Sequence, residues 1–140
     1  MDDAKRMEVL RRHWDNAGTD QDITHEIYHG DAVLEFPQSR ERFVGKENFK
    51  AWRKIYPASV EFKIRRIRGR GDLWVAEISI RYDGGPWQFG CSILQFRDEK
   101  VARDTIYIAQ GWEAPEWRAP WRAAWPDDDE DQSTESCRGS

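Results

Sequence analysis

The segment 31–52 constrains the fold more than any other part of the sequence. It opens with apolar residues at every second position, which is typical of a strand with one buried face. Those residues are Ala32, Leu34 and Phe36. Pro37 cannot donate to a strand ladder and marks a turn, whereas Phe49 and Trp52 after Gly45 have the spacing of one helix face. A strand, a turn and a helix are therefore predicted in close succession.

The other periodic patterns predict helices first and strands afterwards. Residues 3–17 have apolar side chains at helical spacing, and Asp22 is expected to cap a short second helix through Tyr28. Period-two patterns predict further strands at 59–68, 73–82, 86–97 and 101–110. The turns 83–85 and 98–100 indicate that the last three strands form an antiparallel meander. This order predicts an α+β domain with helices packed on a curved, mixed but mostly antiparallel sheet.

Composition predicts one domain and a tail. A chain of 140 residues with 39% apolar side chains can bury one core, and we assign that domain to residues 1–125. Residues 126–140 hold six acids against one arginine and predict a disordered acidic tail. Without the tail the net charge of −4 becomes about +1. A nearly neutral body predicts no nucleic-acid partner, and the basic run 63–70 is interpreted as the outer face of an edge strand.

The sequence also bears on where the protein is located in the cell and on whether it binds a metal. No apolar run has the length of a membrane span, and the N-terminus lacks the apolar core of a signal peptide, so we expect a cytoplasmic protein without a membrane partner. Cys91 is expected to be a small buried hydrophobe. His25 and His29 have a spacing that two metal ligands can share, but no third ligand is evident, and no metal or cofactor is predicted. His29 is interpreted as a helix C-terminal residue.

The predicted strand, turn and helix of segment 31–52 resemble the SnoaL-like branch of the NTF2-like superfamily. The family's turn usually reads Pro-Gln-Ser-Gly-Glu, and here Pro37, Gln38, Ser39 and Glu41 match while Arg40 replaces the glycine. The resemblance extends over residues 1 to about 125. It implies a cone-shaped α+β fold in which this segment forms the lip of a small-molecule pocket.

The concave face of such a cone lines its pocket, so the even-numbered strand residues are the predicted lining. Asp104 is an acid in this apolar row. Burial would raise its pKa toward the range useful for proton transfer, and we predict it as a catalytic acid or base. The alternative is a structural carboxylate paired with Arg97, Arg103 or Arg118. The predicted ligand-contacting residues are Trp14, Phe36, Trp52, Tyr56, Trp74, Ile78, Ser92, Ile106 and Ile108.

Ketosteroid isomerases share the cone fold, but their catalytic residues do not recur here. Phe36 falls where their general-base aspartate would lie, and Ser92 falls where their protonated acid would lie. Arg11 or Arg12 lies near the position of their tyrosine. Steroid isomerisation by that set of residues is not expected.

Two functional classes follow. The first is a small-molecule domain for an apolar ligand, and its reaction, if it has one, would be proton transfer at carbon as in an isomerase, cyclase or dehydratase. The second is a non-catalytic binding or dimerisation module, which the scarcity of polar residues on the concave face favours.

Two surface features bear on partners. The odd-numbered strand faces, which include Ile93, Gln95, Thr105 and Tyr107, are apolar enough to predict a homodimer. The tryptophan-rich segment 111–125, with a short helix expected near Pro120, is interpreted as a cap on the domain, a dimer contact or a closure of the pocket mouth.

Overall fold

The computed structural model describes residues 1–126. Within this range the helices are α1 (Asp3–Asn16), α2 (Gln21–Thr24) and α3 (Lys46–Lys54). The strands are β1 (Tyr28–Phe36), β2 (Glu41–Val44), β3 (Val60–Arg70), β4 (Leu73–Tyr82), β5 (Gln88–Arg97) and β6 (Lys100–Ala109). Two 3₁₀ helices span His25–Ile27 and Glu116–Trp121. The predicted acidic tail, beyond Pro126 itself, lies outside the described residues.

The six strands form one mixed sheet in the order β2-β1-β6-β5-β4-β3. Strands β4, β5 and β6 pair antiparallel, which confirms the predicted meander. Strand β1 joins β6 in parallel, with Leu34 opposite Asp104. The basic strand β3 lies at an edge, as predicted. Register shifts interrupt β3 after Ile64 and β5 after Gln95, and such irregularities bend a sheet. The predicted α+β fold is confirmed.

The helices cover the face of the sheet that carries the even-numbered residues. Trp74, Ile78 and Ile106 are buried there, as the period-two pattern predicts. Leu10 of α1 and Phe49 of α3 pack into the same core. Burying such a side chain stabilises the fold by about 1.5–3 kcal/mol. None of the helices in residues 1–126 is long and apolar enough to cross a membrane.

The second helix is shorter than predicted and has another cap. The Asp20 side chain, not that of Asp22, accepts a hydrogen bond from the Ile23 N–H at 3.0 Å. A 3₁₀ turn follows, and β1 begins at Tyr28. His29 therefore lies in a strand and does not end a helix. Cys91 is half-buried rather than fully buried, because it lies on the outer face of β5.

The turn after β1 leads into β2, a strand that the sequence analysis did not predict. Arg40 has a φ of 60°, the left-handed conformation that glycine favours, so the turn keeps its shape without glycine. The Gln38 side chain then bonds the backbone of β6 twice: its amide N–H donates to the Ile108 carbonyl, and its oxygen accepts from the Ile108 N–H, both at 2.7 Å.

The tryptophan-rich segment does not form the predicted helix from Pro120. A 3₁₀ helix contains Pro120 near its end, and the segment is otherwise extended. Four indoles, those of Trp112, Trp117, Trp121 and Trp125, are 71% to 82% exposed. They are therefore not a buried cap on this chain.

Candidate functional site

A cavity of about 370 Å³ lies between the helices and the concave face of the sheet. Residues of α1 and α3 form its walls, among them His13, Trp14, Trp52 and Arg53. Its floor consists of apolar side chains from β1, β3, β4 and β6, namely Phe36, Phe62, Ile78, Ile80, Ile106 and Ile108. Tyr56 and Tyr82 also line it and stack with ring centroids 6.0 Å apart.

The structure brings most of the predicted ligand-contacting residues together around this cavity. Those that line it are Trp14, Phe36, Trp52, Tyr56, Ile78, Ile106 and Ile108. Trp74, Ser92 and Asp104 are not among the lining residues, and all three are fully buried. Trp74, Leu94 and Asp104 lie opposite one another on adjacent strands. Trp74 and Leu94 belong to the packed core, and Tyr28 covers Asp104. Parity therefore placed these side chains on the concave face without placing them in the cavity.

Asp104 is held by two hydroxyl groups. One carboxylate oxygen accepts a hydrogen bond from the Ser92 hydroxyl at 2.5 Å, and the other accepts from the Tyr28 hydroxyl at 2.7 Å. Burial raises the pKa of Asp104, while these two bonds and the charge of Arg53 oppose the rise. Burial also raises the pKa of Tyr28.

Two of the three arginines considered as partners of Asp104 are engaged elsewhere, and Arg118 makes no hydrogen bond with it, since both Asp104 oxygens bond hydroxyl groups. Arg97 pairs with Asp31 at 2.8 Å, and Arg103 pairs with Glu35 at 3.2 Å. The carboxylate is therefore satisfied by neutral donors rather than by a direct ion pair.

Two buried histidines, of which His13 lines the cavity and His25 does not, are neutral at pH 7. The Nδ1 of His13 donates to the Thr24 carbonyl at 2.7 Å, so Nε2 carries the lone pair. Burial lowers the pKa of His13 to about 3. The Nδ1 of His25 donates to the Gln21 carbonyl at 2.6 Å. Burial and then the charge of Arg53 lower the pKa of His25 to about 4.

Arg53 links the cavity to this interior. It lies in the last turn of α3, where a cation is favoured by the helix dipole, and it is half-buried. Its Nη1 donates to Nε2 of His25 at 3.2 Å. Its guanidinium lies 5.5 Å from the Phe49 ring centroid and 5.7 Å from that of Trp52. The sequence analysis missed Arg53, although its position four residues after Phe49 indicates the core-facing side of the helix.

No group of three or more His, Cys, Asp or Glu side chains within residues 1–126 is arranged to hold a metal ion. His29 instead makes a hydrogen bond through Nε2 with the Arg97 carbonyl. It therefore does not lie with His25 as a pair of ligands.

A curved mixed sheet with helices on its concave face and a cavity between them defines the cone-shaped container of the NTF2-like superfamily. The family model described as SnoaL-like domain matches residues 10–104. The chain belongs to the SnoaL-like domain family, as its resemblance implied. A comparison with curated proteins finds no match.

Solved structures share the same architecture. An NTF2-like protein of unknown function from Burkholderia xenovorans is 38% identical, with a TM-score of 0.82 over 88% of this chain and 98% of its own. A protein described as a candidate ketosteroid isomerase, from Kribbella flavida, is 19% identical, with a TM-score of 0.76 over 88% of this chain and 91% of its own. An LEH-like epoxide hydrolase from M. tuberculosis is 18% identical, with a TM-score of 0.64 over 75% and 83%. The last two show the shared fold alone.

Proposed function

We propose that this protein binds a small, largely apolar molecule in the cavity, and that residues 1–125 act as one binding domain. The observation that carries the proposal is the cavity of about 370 Å³ with its apolar floor. Small-molecule sites are typically concave, apolar and about 300–1,000 Å³ in volume. Polar groups lie around the apolar floor, on the helices and also at Ser59 and Tyr82, where they can orient a ligand.

Blocking the cavity tests this proposal. Apolar and aromatic compounds, including polyketides, terpenoids and steroids, are screened for an increase in the thermal unfolding midpoint, since a ligand of the native state stabilises it. Ile108→Trp fills the cavity floor and is expected to abolish any increase. Ala109→Trp, on the next and exposed residue of β6, is the matched control and is expected to keep it. Equal responses of the two variants would contradict binding in this cavity.

Proton transfer at carbon is a second candidate, and Asp104 is the observation that favours it. A fully buried carboxylate with a raised pKa is the kind of group that enzymes use for proton transfer. Asp104 does not line the cavity, so we assign it a positioning role through Tyr28 and not direct contact with a substrate. The lining residues in the described range include no carboxylate, and His13 with a pKa of about 3 is a weak base. The contacts therefore favour binding over catalysis.

We also propose a homodimer through the outer face of the sheet. Phe89 and Tyr107 on this face are 46% and 42% exposed, and Ile93, further along β5 on the same face, is half-buried. Lys63 and Arg81 stack on the Trp87 ring beside them, at 4.6 and 4.5 Å from its centroid. A second copy would cover this apolar surface symmetrically.

The location of the protein in the cytoplasm stays a prediction.

A further inference from the structure

The charges on the cavity wall are unbalanced. The lining residues include two cations, Arg53 and Lys54, and no aspartate or glutamate within the described part of the chain. The Lys54 ammonium is paired with Asp22 at 3.3 Å. Arg53 makes no ion pair with any carboxylate of residues 1–126, and its hydrogen-bond partners are neutral, namely the His25 ring and the Tyr28 hydroxyl. One cation without a direct counterion therefore borders an apolar cavity.

The protein itself does not supply that counterion through Asp104. Both carboxylate oxygens of Asp104 accept hydrogen bonds from hydroxyl groups, those of Ser92 and Tyr28. Arg53 acts on Asp104 only through the field of its charge. A half-buried guanidinium has five donors, and an oxygen anion is the group that satisfies several of them at once.

Other donors on the same wall lack acceptors. The indole N–H groups of Trp14 and Trp52 are buried without a hydrogen-bond partner, and both residues line the cavity. The Oε1 atom of Gln21 is likewise a buried acceptor without a hydrogen-bond partner. Both N–H atoms are buried rather than exposed to the cavity, so the group of this wall that can bind an anion is Arg53 itself. The planar Trp52 ring under the guanidinium also suits an aromatic or cyclic neighbour.

We propose that the ligand is an aromatic or cyclic carboxylic acid, with its carboxylate on Arg53 and its ring on the apolar floor. The inference rests on the proposed binding function and adds the chemical class of the ligand. The carboxylate would accept a paired hydrogen bond from the guanidinium, and the ring would cover Phe36, Ile106 and Ile108.

A matched pair of probes tests the proposal by calorimetric titration at pH 7. The probes are 2-naphthoate and its neutral counterpart 2-naphthamide. The full chain is expected to bind the acid at least about tenfold more tightly than the amide, since bonds to charged groups exceed neutral ones. Arg53→Met is expected to remove this preference, and Arg53→Lys to retain part of it. Lys50→Met removes a cation of the same helix that does not line the cavity, and it is expected to keep the preference.

The outcomes separate the two levels of the proposal. If acid and amide bind equally, or if Arg53→Met keeps the preference while remaining folded by circular dichroism, the carboxylate assignment is wrong and apolar binding stands. If Arg53→Met does not fold, Arg53→Gln takes its place. Loss of the preference for the acid in Arg53→Gln, with part of it kept in Arg53→Lys, supports the carboxylate assignment. An unchanged preference in Arg53→Gln overturns it. If neither probe nor any neutral compound of the thermal screen binds, the binding function itself fails.

Discussion

The Asp104 side chain lies outside the cavity but is connected to the helix α3 of its wall through Tyr28. Its two oxygens accept from Ser92 and Tyr28, which lie on β5 and at the start of β1. The Tyr28 ring packs against Phe49 of α3, with centroids 5.0 Å apart. The helix that carries Arg53 thus rests on a tyrosine whose hydroxyl is fixed by Asp104.

Asp104→Asn is expected to change how stability depends on pH. The ordinary pKa of the group is 3.8 and folding raises it. As the pH increases, the Asp104 carboxyl therefore loses its proton in the unfolded chain before it does so in the folded protein. The free energy of unfolding falls as a result, from pH 3.8 up to the raised pKa. The variant lacks this loss, so its free energy of unfolding should increase relative to wild type by about 1.4 kcal/mol for each unit of the rise. Urea denaturation of both proteins between pH 4 and about 8 measures the difference.

Other buried groups provide an internal control in the same titration. His13 has its pKa lowered to about 3, so the loss of stability that it causes as the pH falls below 6.5 should persist in Asp104→Asn. Identical pH dependence of the two proteins above pH 4 would show that Asp104 ionises as easily in the folded state as in the unfolded chain.

Part of the residue-level result could be predicted from the sequence. The even parity of Asp104 in an apolar strand identified it as buried. Tyr28 and Arg53 were not identified, because Tyr28 bonds a residue 76 positions away and Arg53 contacts the neutral His25. Contacts between distant residues leave no local periodicity, and only the packed fold defines them.

At the scale of elements, the β3–β4 hairpin depends on the close approach of the Gly69 backbone to Leu73 and Trp74. A Cβ at this position would lie 2.5 Å from the Leu73 carbonyl oxygen and 2.5 Å from the Trp74 ring. Gly69→Ala is therefore expected to lower the free energy of unfolding by about 1–3 kcal/mol, as overpacking does. Urea denaturation measures the loss.

Gly30 in β1 is the matched control for this prediction. No atom lies within 4 Å of a Cβ built there, so Gly30→Ala should change stability by less than about 0.5 kcal/mol. If the two alanine variants are equally stable, the hairpin accommodates the methyl group and the close approach does not constrain it.

The sequence predicted strands better than the elements between them. Period-two patterns located β3 to β6 and the buried face of each, since half-burial gives a strong alternation. Strand β2 was missed because its four residues pair only with β1 and are mostly exposed, so no alternation marks them. The start of α2 was misplaced because Asp20 and Asp22 are equally good N-caps by residue type.

For the whole molecule, the outer face of the sheet predicts the oligomeric state. Tyr107→Glu places a charge at the centre of the proposed interface and is expected to yield a monomer in sedimentation at micromolar concentration. Val44→Glu, on the edge strand β2 and 60% exposed, should leave the dimer intact. A monomeric wild-type protein, or a dimer in the Tyr107 variant, would contradict an interface on this face.

The double hydrogen bond of Gln38 to Ile108 has a mechanical consequence. The Gln38 amide bonds β6 in the way that a residue of a neighbouring strand would. It holds the turn after β1 against the end of β6, where Phe36 and Ile108 border the cavity. The turn after β1 and the end of β6 can separate only if both bonds break. The spacing of the two cavity-lining residues that they carry is therefore fixed by a side chain and not by the strand ladder alone.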